Sequence, residues 1–292
     1  MQKHSLAGLL AGLTAASIWG GMYVVSKVVL EVVPPFALLT TRLVLGGLAL
    51  GAVIAFRPRV AFTKKQFWQI FLVGFVGYGI SLGFQFVGTK LSSASIGSLV
   101  TSATPAFVLL FAPFLLGEKT TARGLIALGI STMGVIAVIN PRNAELAPSL
   151  FWGNLSLLAA ALTWALYSVL VRKVARTGDL LTASAIMLAG GIPSSLVFGF
   201  WEIKSQGIGE ITLGVVGGIL FLGIVSTAIA MFLWNYAFAE LPAAVASLTF
   251  FAQPVVGTIL GALFLGEEIT RLFLIGGLLI GIGLVVASRQ SD

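Results

Sequence analysis

The sequence has no cysteine, a single histidine (His4), and ten acidic residues that form no cluster. Without thiols there is no disulfide framework, thiol nucleophile or zinc–thiolate site. With one histidine and dispersed acids, neither a Ser-His-Asp triad nor a metal centre can be assembled. No catalytic residue, cofactor or metal is therefore expected, and the usual classes of membrane enzyme are excluded. Charge is scarce as well: 17 Lys and Arg with 10 Asp and Glu make only 9% of 292 residues, where a soluble globule carries roughly 25%. So few charges cannot solvate the surface of a 30.5 kDa chain whose mean hydropathy is +1.06. Most of that surface must face lipid, which makes this an all-α integral membrane protein. The net charge of +7 lies mostly in short segments between apolar runs, so it reads as a topology signal and not as a nucleic-acid surface.

A helix crosses the hydrocarbon layer with about 20 apolar residues. Polar, proline and glycine interruptions divide the chain into ten such spans, near 6–29, 35–56, 67–88, 94–116, 122–139, 152–171, 180–201, 211–237, 243–265 and 270–287. The runs are continuous rather than alternating, which excludes a barrel. With the amino terminus inside, the cytoplasmic segments hold Lys3, Arg57, Arg59, Lys64, Lys65, Lys119, Arg123, Arg172, Lys173, Arg176 and Arg289; the far side holds Lys27, Lys90, Arg142, Lys204 and Arg271. That bias predicts two cytoplasmic termini. The first run is too long for a signal peptide and reads as the first span.

Shifting the chain by 149 residues aligns 94–121 with 243–270 at nine identical positions of 28, including Pro105/Pro254, Leu116/Leu265, Gly117/Gly266 and Glu118/Glu267. A shift of 145 pairs Trp19 with Trp164 and Lys27 with Arg172. The spans therefore form two five-helix repeats, 1–140 and 152–292, joined by a linker at 141–151. Five is odd, so the second repeat enters the membrane inverted. The charges agree: the loop after the second span is basic and its counterpart after the seventh is not. Inverted repeats of opposite charge bias are the signature of carriers that open to either side.

Ten spans in a 5+5 inverted repeat, Trp19-Gly20 in the first span, Arg42 early in the second, and a proline-centred span running into Leu-Gly-Glu in each half resemble the EamA branch of the drug/metabolite transporter superfamily. The resemblance covers nearly the whole chain. It implies a central site between the halves and a bacterial inner-membrane exporter of small metabolites, with amino acids, aromatic ones included, prominent among the solutes of similar proteins. The partners implied are that small molecule and the bilayer; oligomeric state is open.

Mid-span polar and aromatic residues are the candidates for such a site. Pro105 and Pro254 each remove one helix hydrogen bond, freeing the carbonyls of Thr101 and Phe250, and are read as hinges. Ser98, Thr101 and Ser102 share a face with Pro105; Ser247, Thr249 and Gln253 answer from the ninth span, with a mid-membrane amide needing partners. Small hydroxyl residues in such helices also mediate packing. Trp68, Trp152 and Trp201 fall at span ends, as interfacial tryptophans do. Trp19 and Tyr23, in line with Ser26, lie mid-span, as do Tyr78, Trp164, Tyr167 and Ser168. They offer flat walls with polar edges. Gln85, Trp234 and Asn235 are weaker candidates. No acid lies at mid-depth, which favours a neutral or zwitterionic solute over a fixed cation and argues against proton exchange through a central carboxylate. Arg42 either binds an anionic group or snorkels or pairs with neighbouring carbonyls. Lys27 and Arg172 are anchors or gates.

Overall fold

The computed structural model describes residues 6–58, 61–117, 122–139, 147–174, 179–241 and 243–288. His4, Lys3, Arg59, Glu118, Lys119, Arg142, Arg176, Arg289 and most of the expected linker lie outside the described residues. The described chain folds into ten helices: α1 Leu6–Val29, α2 Pro35–Ala55, α3 Lys64–Leu91, α4 Ala94–Leu116, α5 Ala122–Ile139, α6 Pro148–Val174, α7 Leu180–Gln206, α8 Leu213–Glu240, α9 beginning at Ala243 and ending at Leu265, and α10 Arg271–Ser288. Eight are long and apolar enough to cross a membrane, and α5 and α10 carry the shorter apolar stretches Leu125–Val138 and Arg271–Gly283. Large apolar side chains such as Phe114, Leu213, Leu263 and Phe264 point outward, as lipid-facing surface requires.

Local chemistry sets the helix ends. Pro35 opens α2 at a position where its missing N–H is not needed. Thr63 and Gln66 form a reciprocal capping box on α3. Asp179 and Thr212 cap α7 and α8 through the N–H groups of Thr182 and Val215. The two Leu-Gly sequences stop α4 and α9 alike: Gly117 and Gly266 take the left-handed conformation, φ 70° and 63°, which closes a helix with little strain only in glycine.

Packing follows a reciprocal rule. The α1 helix packs on α8 and α9, and its repeat counterpart α6 packs on α3 and α4; α2 pairs with α7 and α5 with α10. Each half thus completes the other. Glycines let the pairs close. A Cβ on Gly74 of α3 would stand 2.0 Å from the Met187 carbonyl oxygen of α7, and one on Gly190 would stand 2.1 Å from that of Phe71. The Gly8/Gly12 and Gly257/Gly261 pairs likewise face Leu241, Thr249, Ser98 and Ser95 of this same chain, so their small size serves contacts within the monomer.

Two departures from regular helix matter for the site. The α3 and α8 helices each contain a wide π-turn segment, Phe75–Ser81 and Phe221–Ile229, at matched places in the repeats. The α4 and α9 helices are interrupted: α4 consists of Ala94–Thr101 and Thr104–Leu116, and α9 runs through Ala243–Leu248, a tight turn Thr249–Phe251 and Ala252–Leu265. The sequence predicts proline kinks; the structure has a break, with Pro105 in the first turn of the second α4 segment. The Thr101 carbonyl that loses its helical donor accepts instead from Thr104 Oγ1 at 2.7 Å, which is how a broken backbone stays satisfied at this depth.

Candidate solute site between the halves

The described tryptophans divide cleanly. Trp68, Trp152 and Trp201 are exposed at helix ends, whereas Trp19, Trp164 and Trp234 are buried together at the centre. Trp19 meets Trp164 edge-on, with centroids 5.5 Å apart and rings at 88°, and contacts Trp234 at 5.3 Å and Phe250 at 5.8 Å. Its indole N–H donates to the Ser226 carbonyl at 3.0 Å. That oxygen belongs to the π-turn segment of α8, where the lengthened turn leaves carbonyls free to accept from outside the helix.

Beside this cluster lies a cavity of ≈ 20 Å³ lined by Trp19, Met22, Tyr23, Ser81, Leu82, Gln85, Thr101, Thr104, Ala160, Trp164, Met231, Phe250 and Gln253. Its walls come from α1, α3, α4, α6, α8 and α9, three helices from each half. Of the sequence candidates, Trp19, Tyr23, Gln85, Thr101, Trp164 and Gln253 line it. Thr101 is the knot of the polar wall: Oγ1 donates to the Gly97 carbonyl at 2.7 Å and accepts from Gln253 Nε2 at 2.7 Å and Tyr23 OH at 2.8 Å, while Gln253 Nε2 also reaches the Ser98 carbonyl at 3.0 Å. This ties α1, α4 and α9 at one point.

The other candidates stand a layer behind. Tyr78 and Tyr167 share a 2.6 Å hydrogen bond, and Tyr167 OH donates to Asn235 Oδ1 at 2.8 Å. Asn235 Nδ2 in turn donates to Ser184 Oγ at 3.0 Å. This second knot joins α3, α6, α7 and α8. Ser98, Ser102, Ser168 and Thr249 turn their hydroxyls back to carbonyls three or four residues earlier, at Ser95, Leu99, Trp164 and Ala246, so they contribute to packing around the cavity. Trp234 packs on Trp19 and Phe250 and donates to Ser168 Oγ at 3.3 Å. Sequence reading passes over Met22, Ser81, Leu82, Thr104, Ala160, Met231 and Phe250. Only Thr104 carries a local signal, a hydroxyl three residues after a carbonyl that the next proline deprives of its donor. Trp164 Nε1 is buried with no hydrogen-bond partner, although it lines the cavity.

Arg42 does not snorkel. It is fully buried, and its Nε donates to Thr227 Oγ1 at 2.7 Å in the α8 π-turn segment. Thr227 can accept there because its own hydroxyl donates to the Leu222 carbonyl, five residues back, at 2.6 Å. The Phe86 ring covers the guanidinium, 5.0 Å from Cζ.

Two cations tie helix ends together. Lys27, at the end of α1, donates to the carbonyls of Thr89, Lys90 and Ser92 where α3 ends. Arg172, its repeat counterpart at the end of α6, donates to the Leu241 carbonyl where α8 ends, at 3.1 Å. Cations at helix C-termini are favoured by the unsatisfied carbonyls there. Glu267 meets the opposite need, accepting from the Ala94 and Ser95 N–H groups at the start of α4, both at 2.7 Å. Glu202 does the same for Phe36 at the start of α2, at 2.7 Å. Asp179 lies 3.6 Å from Arg57. Partial desolvation acts to raise its carboxyl, but the Thr182 hydrogen bonds and the Arg57 cation outweigh it and hold the group below its ordinary value.

Ten helices in two interlocked halves, around a small central cavity with aromatic and amide walls, have the architecture of a membrane transporter. Comparison with known proteins agrees. The EamA-like transporter family profile matches residues 6–140 and 151–289, and the chain belongs to that family. It is 25% identical to the uncharacterized transporter YoaV of Bacillus subtilis (strain 168), over 94% of each chain. It is 28% identical to the uncharacterized transporter YvbV of the same organism, over 100% of this chain and 94% of that one. A crystal structure at 22% identity superposes with a TM-score of 0.70 over 98% of this chain and 99% of the other, a likeness of fold.

Proposed function

We propose that the protein exports small neutral or zwitterionic metabolites, amino acids including aromatic ones foremost, across the bacterial inner membrane by alternating access, with both termini cytoplasmic. The observation that carries this reading is the central cavity. At ≈ 20 Å³ it holds about one water, so any metabolite must be admitted by parting walls that three helices of each half supply. So small a space supports a carrier over an open channel. The aromatic faces suit an aromatic or aliphatic side chain, and the amides and hydroxyls of Gln85, Gln253, Tyr23 and Thr101 suit polar ends. The rival solute class, organic cations, fits the aromatics, but no acidic residue among those described lines the cavity.

The test is transport by purified protein in liposomes with a panel of labelled amino acids, purines and organic cations. Saturable counterflow of amino acids is the expected result. Movement of organic cations alone, or non-saturating flux at pore rates, refutes it.

A further inference from the structure

The transport reading leaves one feature unexplained: a guanidinium at the centre of the protein with no counter-ion. Arg42 has a relative exposure of 0%, and none of the described carboxylates pairs with it. An arginine has five N–H donors, and here they are poorly used. Nε has a good partner in Thr227, but Nη2 reaches Ser226 Oγ and the Ser226 carbonyl only at 3.3 and 3.5 Å, and Nη1 has the Met22 sulfur at 3.4 Å. A thioether is a weak acceptor.

Met22 lines the cavity, so this sulfur stands between the guanidinium and the solute space. The amide of Gln85, another lining residue, hydrogen-bonds with the Tyr23 side chain and points its Nε2 at the same sulfur at 3.9 Å. Trp164 Nε1, also in the lining, has no acceptor at all. At this cavity, then, the Trp164 indole N–H has no acceptor, and the permanently charged guanidinium behind Met22 has mostly long or weak ones. The complementary ligand group is planar, anionic and rich in acceptors.

We propose that Arg42 and Gln85 form the anchor for a carboxylate on the transported solute, with the flexible Met22 side chain as a stopper that yields when the carboxylate arrives. This rests on the transport reading and narrows it. An amino acid is preferred to its amide and its decarboxylated amine, and a simple carboxylate serves as a probe of the anchor alone. A guanidinium presents two parallel N–H groups that match a carboxylate, and an unbranched methionine can change rotamer to uncover them. The Trp19, Trp164 and Phe250 rings then contact the rest of the solute.

The experiment measures apparent affinities of the purified protein by calorimetry for L-phenylalanine, 3-phenylpropionate, phenylalaninamide and phenethylamine. The parent should bind the two acids about tenfold or more tighter than the amide and amine, the scale of a charge-assisted hydrogen bond. In Arg42→Gln that gap should close while amide binding changes little, and Arg42→Lys should retain part of it. Should Arg42→Gln fail to fold, Gln85→Leu, which removes an amide from the cavity wall, should narrow the same gap. A folded Arg42→Gln that keeps the gap overturns the anchor. A parent that binds acid and amide alike overturns the anchor and leaves amino-acid transport standing. A parent that prefers phenethylamine overturns both.

Discussion

Replacing Gly74 by alanine tests whether the halves are held at backbone contact. The new Cβ would stand 2.0 Å from the Met187 oxygen, 2.4 Å from its Cα and 2.5 Å from its carbonyl carbon. All three neighbours are backbone, so no side-chain rotamer relieves the overlap. Reaching ordinary contact requires α3 and α7 to part by about 1.4 Å, and a gap of even 0.5–1 Å forfeits about a quarter to a half of each contact along the seam. Overpacking of this kind costs about 1–3 kcal/mol, and the backbone site places it at the upper end. The helix preference for alanine returns about 0.5–1 kcal/mol, leaving a net loss near 2 kcal/mol. Gly47→Ala is the internal control: its Cβ would meet nothing within 4 Å, so only the favourable propensity term of about 0.5–1 kcal/mol remains. The two alanines should therefore move stability in opposite directions. Unfolding in one detergent, followed by the fluorescence of the six tryptophans, reads both. Gly74→Ala melting at or above the parent would refute the close approach and the packing argument built on it.

Pro105→Ala and Pro254→Ala should leave stability near the parent's while slowing transport, because the interrupted helices become straighter; Trp19→Ala and Trp164→Ala should weaken apparent affinity for aromatic solutes by roughly 0.5–1.5 kcal/mol beyond lost burial. Transport rates equal to the parent's in all four variants would put the site elsewhere. Since no carboxylate among the described residues lines the cavity, transport should follow the solute gradient, and uncoupler-sensitive accumulation driven by a proton gradient in liposomes would contradict this. Asp179→Asn keeps a capping oxygen and loses an exposed ion pair, so it should cost at most about 1 kcal/mol near neutral pH. Because the folded carboxyl titrates below its ordinary value, that difference is present above the unfolded pKa and should vanish as pH falls through the folded one; a difference that instead grew on acidification would reverse the assignment. Cysteines placed at residues 2 and 291 should both resist an impermeant reagent in intact cells, and outside labelling of either would invert the topology.

Much of the architecture is legible because lipid imposes it. Ten apolar runs of crossing length, and matched Pro and Leu-Gly-Glu features, specify helix number and repeat without any tertiary knowledge. The site is legible only where chemistry stands out at mid-depth: Trp19, Trp164, Gln85 and Gln253 are unusual residues for a hydrocarbon environment. The hydroxyl candidates were harder to sort. Thr101 bonds back to Gly97 and still accepts from Tyr23 and Gln253, whereas Ser102 bonds only to its own helix, and sequence spacing treats the two alike. Met22 and Phe250 carry no polar signal. Arg42 looks like a residue within reach of the interface; its burial depends on where α8 widens, and a π-turn leaves hydropathy unchanged.

Those widened turns bear on how the family's sequences can drift. A π-turn accommodates one residue more than the α-turn it replaces, so Phe221–Ile229 holds a surplus residue within an otherwise regular rod. Deleting a single residue there would let α8 relax to uniform helix and swing everything beyond it by about 100°. Trp234 and Asn235 would leave Trp19 and Tyr167, and the oxygens of Ser226 and Thr227 would return to their own helix, stranding Trp19 and Arg42. The segment should therefore tolerate exchanges of one apolar side chain for another far better than any change in length. In an alignment of relatives, a one-residue gap within 75–81 or 221–229 would mark a rebuilt binding centre even where every surrounding residue is the same.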